Sequence, residues 1–536
     1  MEGFTWMKLL LDPSETTKFD DPSLGQSEGN GVLARPPGKS AVDLCADYLT
    51  EVAIFAYSSL EKRVTRAILE ATPIDFWFTV PAVWSDKAKY DTLRAAKMAF
   101  KQAGIALHPA SRLFLIPEPE AAAIATLSHL TKGASEVQVK PGDSILICDC
   151  GGGTVDITSY KINAVLPKLT FEELVVGTGG KCGSTYIDRE FIKWMAGKFG
   201  PAYTNLSWEK RGPASRFMKD FEGFKRNFKT ESSTRCCEAQ LFMKGLGDSH
   251  YYDADESAVK IHYEDMKIMF DTVVNKIIAL LKSQLDAVHA HAGTPVKTII
   301  LAGGFGDSNY LNETLRTWCK GVDVKLICPE HPQAAIVRGA ALGGLQDIQP
   351  TSRRARMHYG IAVSQPFDPV IHQVRDSFAD KWDGSPRAGS QIKWSLNKGG
   401  IVDRSTQIQF DLTSDVFDDN QASIKHDATV YCSRADAAPR TTYAPSSQVL
   451  GVIGLSFRDV NLDDFPVKVI NGRNMRRVKA TYVVSFGDLG GVLKFSASVG
   501  SVEIGNTSFT FDGPGSQQHH TANTEAGDYM PPCAMQ

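Results

Sequence analysis

One stretch constrains this chain more than any other: SILICDCGGGTVDITSY, Ser144 to Tyr160. An apolar run ends in Asp149, three glycines and Thr154 follow, and a second carboxylate, Asp156, stands seven positions after the first. The apolar run predicts a buried strand. Gly151, Gly152 and Gly153 let backbone N–H groups approach an anion without Cβ interference, and Thr154 adds a hydroxyl donor. Two carboxylates beside a phosphate repel it unless a divalent cation lies between them, and Mg²⁺, which keeps several of its waters, suits that place. The pattern points to a metal–phosphate complex. Its plain alternative is a glycine-rich turn between two solvated aspartates.

The rest of the chain can house such a site. At 536 residues it exceeds what a single core holds, so two to four domains or lobes are expected. A net charge of -3 sets up no field that would draw in nucleic acid or an acidic membrane. Ten cysteines, several inside apolar runs and none in paired zinc-ligand spacing, fit a reducing compartment. No run of about 18 apolar residues is present, and Met1 to Leu11 lacks the layout of a secretory signal, so a cytoplasmic location is expected.

The first part of the chain alternates strand-like and helix-like segments, which predicts mostly parallel sheets with crossover helices. DFWFTV (Asp75 to Val80) reads as a strand apolar enough to be buried on both faces. A helix capped by Ser85 and ending at Gly104 leads to a second strand at LFLI, Leu113 to Ile116. Farther on, Phe270, Val274, Ile277, Leu281, Leu285 and Val288 form one helical stripe that stops at Gly293; a strand, TIILAGG, follows, and a helix restarts after Asp307 or Ser308. The two glycine junctions read as strand–turn–helix, and α/β sheets bind ligands at such strand ends. After about Gln349 the period drops to two: Ile408, Phe410 and Leu412; Val478, Ala480, Tyr482, Val484 and Phe486; Leu493, Phe495, Ala497 and Val499. These predict an antiparallel β-rich domain, with a hairpin turn at Gly487 to Gly491 and a polar, disordered tail from Gly513.

Two more segments carry candidate chemistry. LIPEPEAAAIA puts Glu118 at a strand end, where it orients a water or simply caps the alanine-rich helix that follows. LAGGFGDSNYL supplies Gly303 and Gly304, where the backbone can approach a ribose or phosphate or form a tight turn.

DCGGGTVD, IPEPEAAAIA, LAGGFGDSNYL and HPQAAIVRGAALGGL, in context, resemble the second phosphate, first connecting, adenosine and second connecting motifs of the 70-kilodalton heat-shock protein family, within the actin-like ATPases. TVPAVWSDKAKYDTLRAAKMAFKQAGI and GTGGKCGSTYIDREF look most like its divergent branch without the usual peptide-binding domain. The resemblance implies a two-lobed actin-like (ribonuclease H-like) α/β domain over residues 1–347, with the β-rich domain at 348–512 and the tail at 513–536. It implies ATP and Mg²⁺ as ligands, a protein client or co-chaperone as partner, and neither nucleic acid nor membrane. Asp149 and Asp156 would hold the metal through water and place the attacking water, with Glu118 assisting; Gly151 to Thr154, Gly179 and Gly180 would face the phosphates. Glu222, Lys225 and Arg226 match the adenosine-contacting helix, a charged surface face being the alternative; Lys8 matches the catalytic lysine, a surface lysine being the alternative.

Three departures stand out. No counterpart of the family's first phosphate motif precedes Lys8, so an incomplete gene product, an unpaired edge on DFWFTV and impaired turnover are expected. Asp307 stands where the family has an adenine-stacking arginine, leaving Phe305 as the replacement ring. The peptide-binding domain, its linker and its lid are not recognisable. The reading is an Mg-ATP-binding protein with weak hydrolysis, the phosphates gripped where the glycine-tipped ends of two sheets face each other; the alternatives are a non-catalytic interaction module and a small-molecule kinase of the same fold.

Overall fold

A computed structural model of the chain describes residues 7–12, 38–132, 139–231, 236–293, 295–403, 405–419, 425–486 and 493–508. Two compact units divide it, Met1–Thr351 and Ser352–Gln536.

In the first unit, helix α1 (Ala41–Glu61) starts on a capping box made by Ser40 and Asp43. Strands β1 (Asp75–Val80) and β2 (Arg112–Pro117) pair in parallel, joined by α2 (Asp86–Gln102). The ends of α2 are those its sequence predicts: Ser85 accepts the Ala88 N–H, and Gly104 takes φ +65. β1 is half-buried rather than enclosed on both faces, and among the described residues it pairs with β2 alone. β2 runs straight into α3 (Glu118–Lys132), whose Ala121, Ala122 and Ala123 are completely buried. The cause is a close crossing with α8 (Pro332–Gln346): a Cβ on Gly339 would stand 1.7 Å from the Ala121 carbonyl oxygen.

The central sheet has six strands: β3 (Ser144–Cys150), β4 (Val155–Ala164), β5 (Thr170–Glu173), β6 (Thr178–Gly180), β10 (Val296–Ala302) and β11 (Lys325–Ile327). Their order is β11–β10–β3–β4–β5, with β6 also beside β4. β11, β10 and β3 are parallel, but β4 returns antiparallel to β3, so the sheet is mixed rather than mostly parallel. The glycine turn is responsible. The Gly151 N–H donates to the Thr154 carbonyl at 2.9 Å and closes a hairpin, so this junction leads into a strand and not a helix.

Helices α3 and α8 cover one face of the sheet over Ile145, Ile147 and Ile300. Helices α4 (Thr185–Phe199), α5 (Arg216–Asn227), α6 (Tyr263–Ala292) and α7 (Asn309–Gly321) share the core on the other, with Leu146, Cys148 and Leu301. The α6 stripe is buried as its spacing predicts, with Leu285 partly so, and the helix ends at left-handed Gly293. Ser308 caps α7. A three-stranded antiparallel sheet, β7 (Cys236–Gln240), β8 (Tyr252–Asp253) and β9 (Ala258–His262), joins the same core in the order β7–β9–β8.

The second unit is a sandwich of two five-stranded sheets. One contains β12 (His358–Pro366), β13 (Ser377–Ala379), β14 (Pro386–Leu396), β16 (Lys425–Ser433) and β17 (Gln448–Ser456), in the order β13–β14–β12–β16–β17. The other contains β15 (Gln407–Phe417), β18 (Val467–Ile470), β19 (Arg473–Phe486), β20 (Leu493–Val499) and β21 (Val502–Ser508). The period-two residues Ile408, Phe410, Val478, Ala480, Tyr482 and Val484 face Tyr359, Ile361, Val430 and Ile453 in one core. Their outward neighbours pair as charges: Arg477 bonds Asp415 and Asp380, each at 2.7 Å. The predicted turn at Gly487 to Gly491 and the tail from Gly513 lie outside the described residues.

Candidate functional site

The carboxyl ends of two parallel pairs of strands, β1 with β2 and β3 with β10, contribute to one place. β10 lies in register beside β3, with Ala302 next to Asp149, so the Gly303 turn emerges against the Asp149 carboxylate. A Cβ at Gly303 would lie 2.4 Å from both Asp149 Oδ1 and the Cys150 carbonyl oxygen, and its φ is +84. Only glycine fits there. Because β3 and β10 are hydrogen-bonded neighbours, the two glycine turns sit side by side on one sheet; they are not the tips of two sheets facing each other.

Asp149 and Asp156 are register partners across the hairpin, 3% and 1% exposed. Asp156 accepts hydrogen bonds from the Val83 N–H, just after β1, and from the Thr154 hydroxyl. Glu118, at the end of β2, is buried beside them and forms an ion pair with the Lys8 ammonium. Lys8 rides on a short 3-10 turn, Met7–Leu11, held by buried Leu11 and by Asp12, whose carboxylate accepts the Ser85 N–H at 2.8 Å. Lys8 also lies over the Trp84 ring, 5.5 Å from its centroid.

Three carboxylates thus face one ammonium. Burial, reinforced by the Glu118 charge, pushes the Asp156 carboxyl up to about 7 against the pull of Lys8. Burial, then Glu118 and Asp156, holds Asp149 well above the usual carboxylate range. The Lys8 side chain is half exposed, and Glu118 and the two aspartates hold its pKa above the ordinary lysine value. Asp149 Oδ1 and Asp156 Oδ1 are buried with no hydrogen-bond partner among the described residues. Buried oxygens of this kind are costly unless a cation or its waters reach them, so the donor set fits Mg²⁺. Among the described residues no three His, Cys, Asp or Glu side chains converge as direct ligands of a metal ion.

The glycine turn is braced from behind. The carbonyls of Gly151, Gly152 and Gly153 accept the N–H groups of Ser184, Thr185 and Gly183 at 3.1, 2.9 and 3.4 Å, and the Thr185 hydroxyl adds a 2.7 Å bond to Gly152. Gly183 is as constrained as Gly303, since a Cβ there would lie 2.4 Å from the Gly152 carbonyl oxygen. The N–H groups of Gly152 and Gly153 donate to no acceptor among the described residues. Gly179 backs Asp156, a Cβ there standing 3.4 Å from Oδ1, and Gly180 pairs with Val155.

Helix α5 sits nearby with its charges tied down. The buried Lys225 ammonium lies 2.8 Å from Asp188 of α4 and 2.6 Å from Glu222, and exposed Arg226 lies 2.7 Å from Glu222. The hydrogen bond to Glu222 raises Arg226 above its usual range, and the charge of Asp307, just past the Gly303–Gly304 turn, adds to it. The i, i+3 and i, i+4 pairs of a charged face are therefore real, on a helix beside the second glycine turn. Gly304 has room, with nothing closer to its Cβ position than the Gln333 side chain at 3.8 Å. Phe305 offers no stacking surface: the 3-10 turn Gly304–Asp307 sends its ring into the core, 4% exposed.

Sequence reasoning missed Gly183, Thr185, Val83 and Asp12. The first two had a signal, a glycine with Ser-Thr directly before a helix, the spacing at which helix-start N–H groups meet a second loop.

No family model matches the chain. Over 383 residues it is 26% identical to mouse "Heat shock 70 kDa protein 12A", covering 58% of this chain and 56% of that protein. It is 27% identical to the human protein of that name over 357 residues, 55% and 52% of the two chains. To the "Chaperone protein dnaK" of Cyanidium caldarium it is 23% identical over 322 residues, 58% and 45% of the two chains. The chain spans about half the length of the curated relatives it matches.

Proposed function

We propose that this chain, a divergent member of the 70-kilodalton heat-shock protein family, uses its first unit as an actin-like nucleotide-binding domain that takes up ATP with Mg²⁺ and hydrolyses it slowly. One observation carries the reading: a pair of buried carboxylates with unpartnered oxygens stands beside a glycine turn with unpartnered N–H groups. Cation and anion sites in contact are what a metal-bound triphosphate requires.

Asp149 and Asp156 would hold the waters of the metal, which supplies charge neutralisation at the phosphate oxygens. Gly152, Gly153 and the Thr154 hydroxyl would hold those oxygens. Asp156 would also take the proton of the attacking water as the bond from γ-phosphorus to the departing ADP breaks. Glu118 keeps the Lys8 ammonium where it can offset negative charge that develops during transfer. Such sites work by positioning and electrostatics, so the chain needs no covalent intermediate. A chaperone-like role, with nucleotide state setting the approach of β1–β2 to the central sheet and a protein client or co-chaperone as partner, follows the relatives.

Isothermal titration with ATP and MgCl₂ on the natural protein and on Asp149→Ala tests the site. Heat is expected from the first and not the second, and equal heats refute the assignment. Phosphate release in a single turnover then separates an ATPase from a binding module.

A further inference from the structure

A cleft of about 890 Å³ lies between α5 and the three-stranded sheet. Its α5 wall is the stripe Arg216, Lys219, Asp220, Gly223 and Asn227. Cys236, Cys237 and Glu238 of β7 all line the other wall. Successive strand residues point to opposite faces, so the cleft takes in the edge of β7, and Ala258 and Ile261 of the neighbouring β9 line it as well.

That edge is unpaired among the described residues, because β7 is the outer strand of the order β7–β9–β8. Two hydrogen bonds fix which of its groups look outward. The Lys260 N–H donates to the Tyr251 carbonyl, towards β8, and the Leu241 N–H donates to Ser257, extending the β7–β9 ladder. Val259 and Ile261 therefore bond Ala239 and Cys237, and Cys236, Glu238 and Gln240 direct their N–H and C=O groups into the cleft. A row of donors and acceptors at a spacing of two residues is matched by an extended main chain and by nothing more compact. Apolar side chains at Phe224, Phe228, Tyr263 and Met266 lie along the same cleft. Space is left at the centre of the α5 wall, where a Cβ on Gly223 would meet no atom within 4 Å.

We propose that this cleft binds an extended segment of a partner protein, which adds to β7 as a fourth strand and seats an aliphatic or aromatic side chain beside Gly223. The proposal is independent of the nucleotide reading, since it uses none of the residues assigned to that site.

A displayed library of short random peptides, panned against the full chain, tests it. Selected peptides are expected to carry β-branched or aromatic residues at alternate positions and to protect the amides of Glu238 and Gln240 from hydrogen exchange. Gly223→Leu fills the vacant space and favours helix, so it should leave the fold intact and weaken these peptides at least ten-fold. The proposal is overturned if no peptide is selected, if the selected peptides bind Gly223→Leu equally well, or if protection falls elsewhere.

Discussion

Asp156→Asn should stabilise the ligand-free protein, although it removes a residue of the proposed site. In the fold the carboxyl titrates near 7 instead of its ordinary 3.8, chiefly because it is buried and then because Glu118 is charged. A raised carboxyl pKa means that the native state holds the proton more tightly than the unfolded chain. The resulting stability is fully present below about pH 4 and is lost as pH climbs to about 7. At about 1.4 kcal/mol per pH unit, the rise from 3.8 to about 7 corresponds to roughly 4 kcal/mol of destabilisation above neutrality. Asparagine keeps the shape and cannot ionise. Its advantage over the natural protein should be near zero at pH 4, grow by about 1.4 kcal/mol per pH unit, and level off at roughly 4 kcal/mol above pH 7. Urea denaturation of both proteins from pH 4 to pH 8 with EDTA present, followed by tryptophan fluorescence, reads this difference and cancels the titrations they share. Adding MgCl₂ and ATP should then stabilise the natural protein far more than the variant. A difference that does not change with pH, or an asparagine variant less stable at pH 8, would refute the electrostatic picture of the site.

Gly303→Ala should cost at least about 3 kcal/mol in the same denaturation assay and abolish the ATP heat, because its Cβ would lie 2.4 Å from Asp149 Oδ1 at a φ of +84; Gly304→Ala, with 3.8 Å of clearance, should change little. Lys225→Met leaves Asp188 without its counter-ion and should cost about 2 kcal/mol, largely recovered by adding Asp188→Asn, whereas Arg226→Ala at an exposed pair should cost under about 0.5 kcal/mol. In the second unit, Arg477→Ala breaks two pairs at 2.7 Å and should lower stability by about 1–2 kcal/mol, an effect that persists in Asp156→Asn because the residues belong to separate units.

Legibility in the sequence followed how local the cause was. The cap at Ser85, the helix restart after Ser308, the stop at Gly293 and the buried stripe on α6 depend on a few neighbouring residues, and they stand as read. So do the inward residues of β15 and β19. The Asp149–Asp156 stretch was legible as a glycine turn framed by two carboxylates, but its hairpin geometry was not, because three glycines permit a return strand as readily as a helix start. Phe305 reads as a ring that could replace an adenine-stacking arginine, and only the long-range core of α6 and α7 decides that it faces inward. The adjacency of Gly303 to Asp149 depends on β10 choosing β3 as its neighbour across some 150 residues of chain, which no local pattern encodes.

The bracing of the glycine turn by Gly183 to Thr185 has a mechanical consequence. The three carbonyls of that turn hang from the first residues of α4, and α4 is locked to α5 by Asp188 and Lys225. A push on the turn is passed through two stiff rods, so strain introduced at Gly151 to Gly153 would register at the buried Lys225 ammonium and at the Glu222 carboxylate beside it.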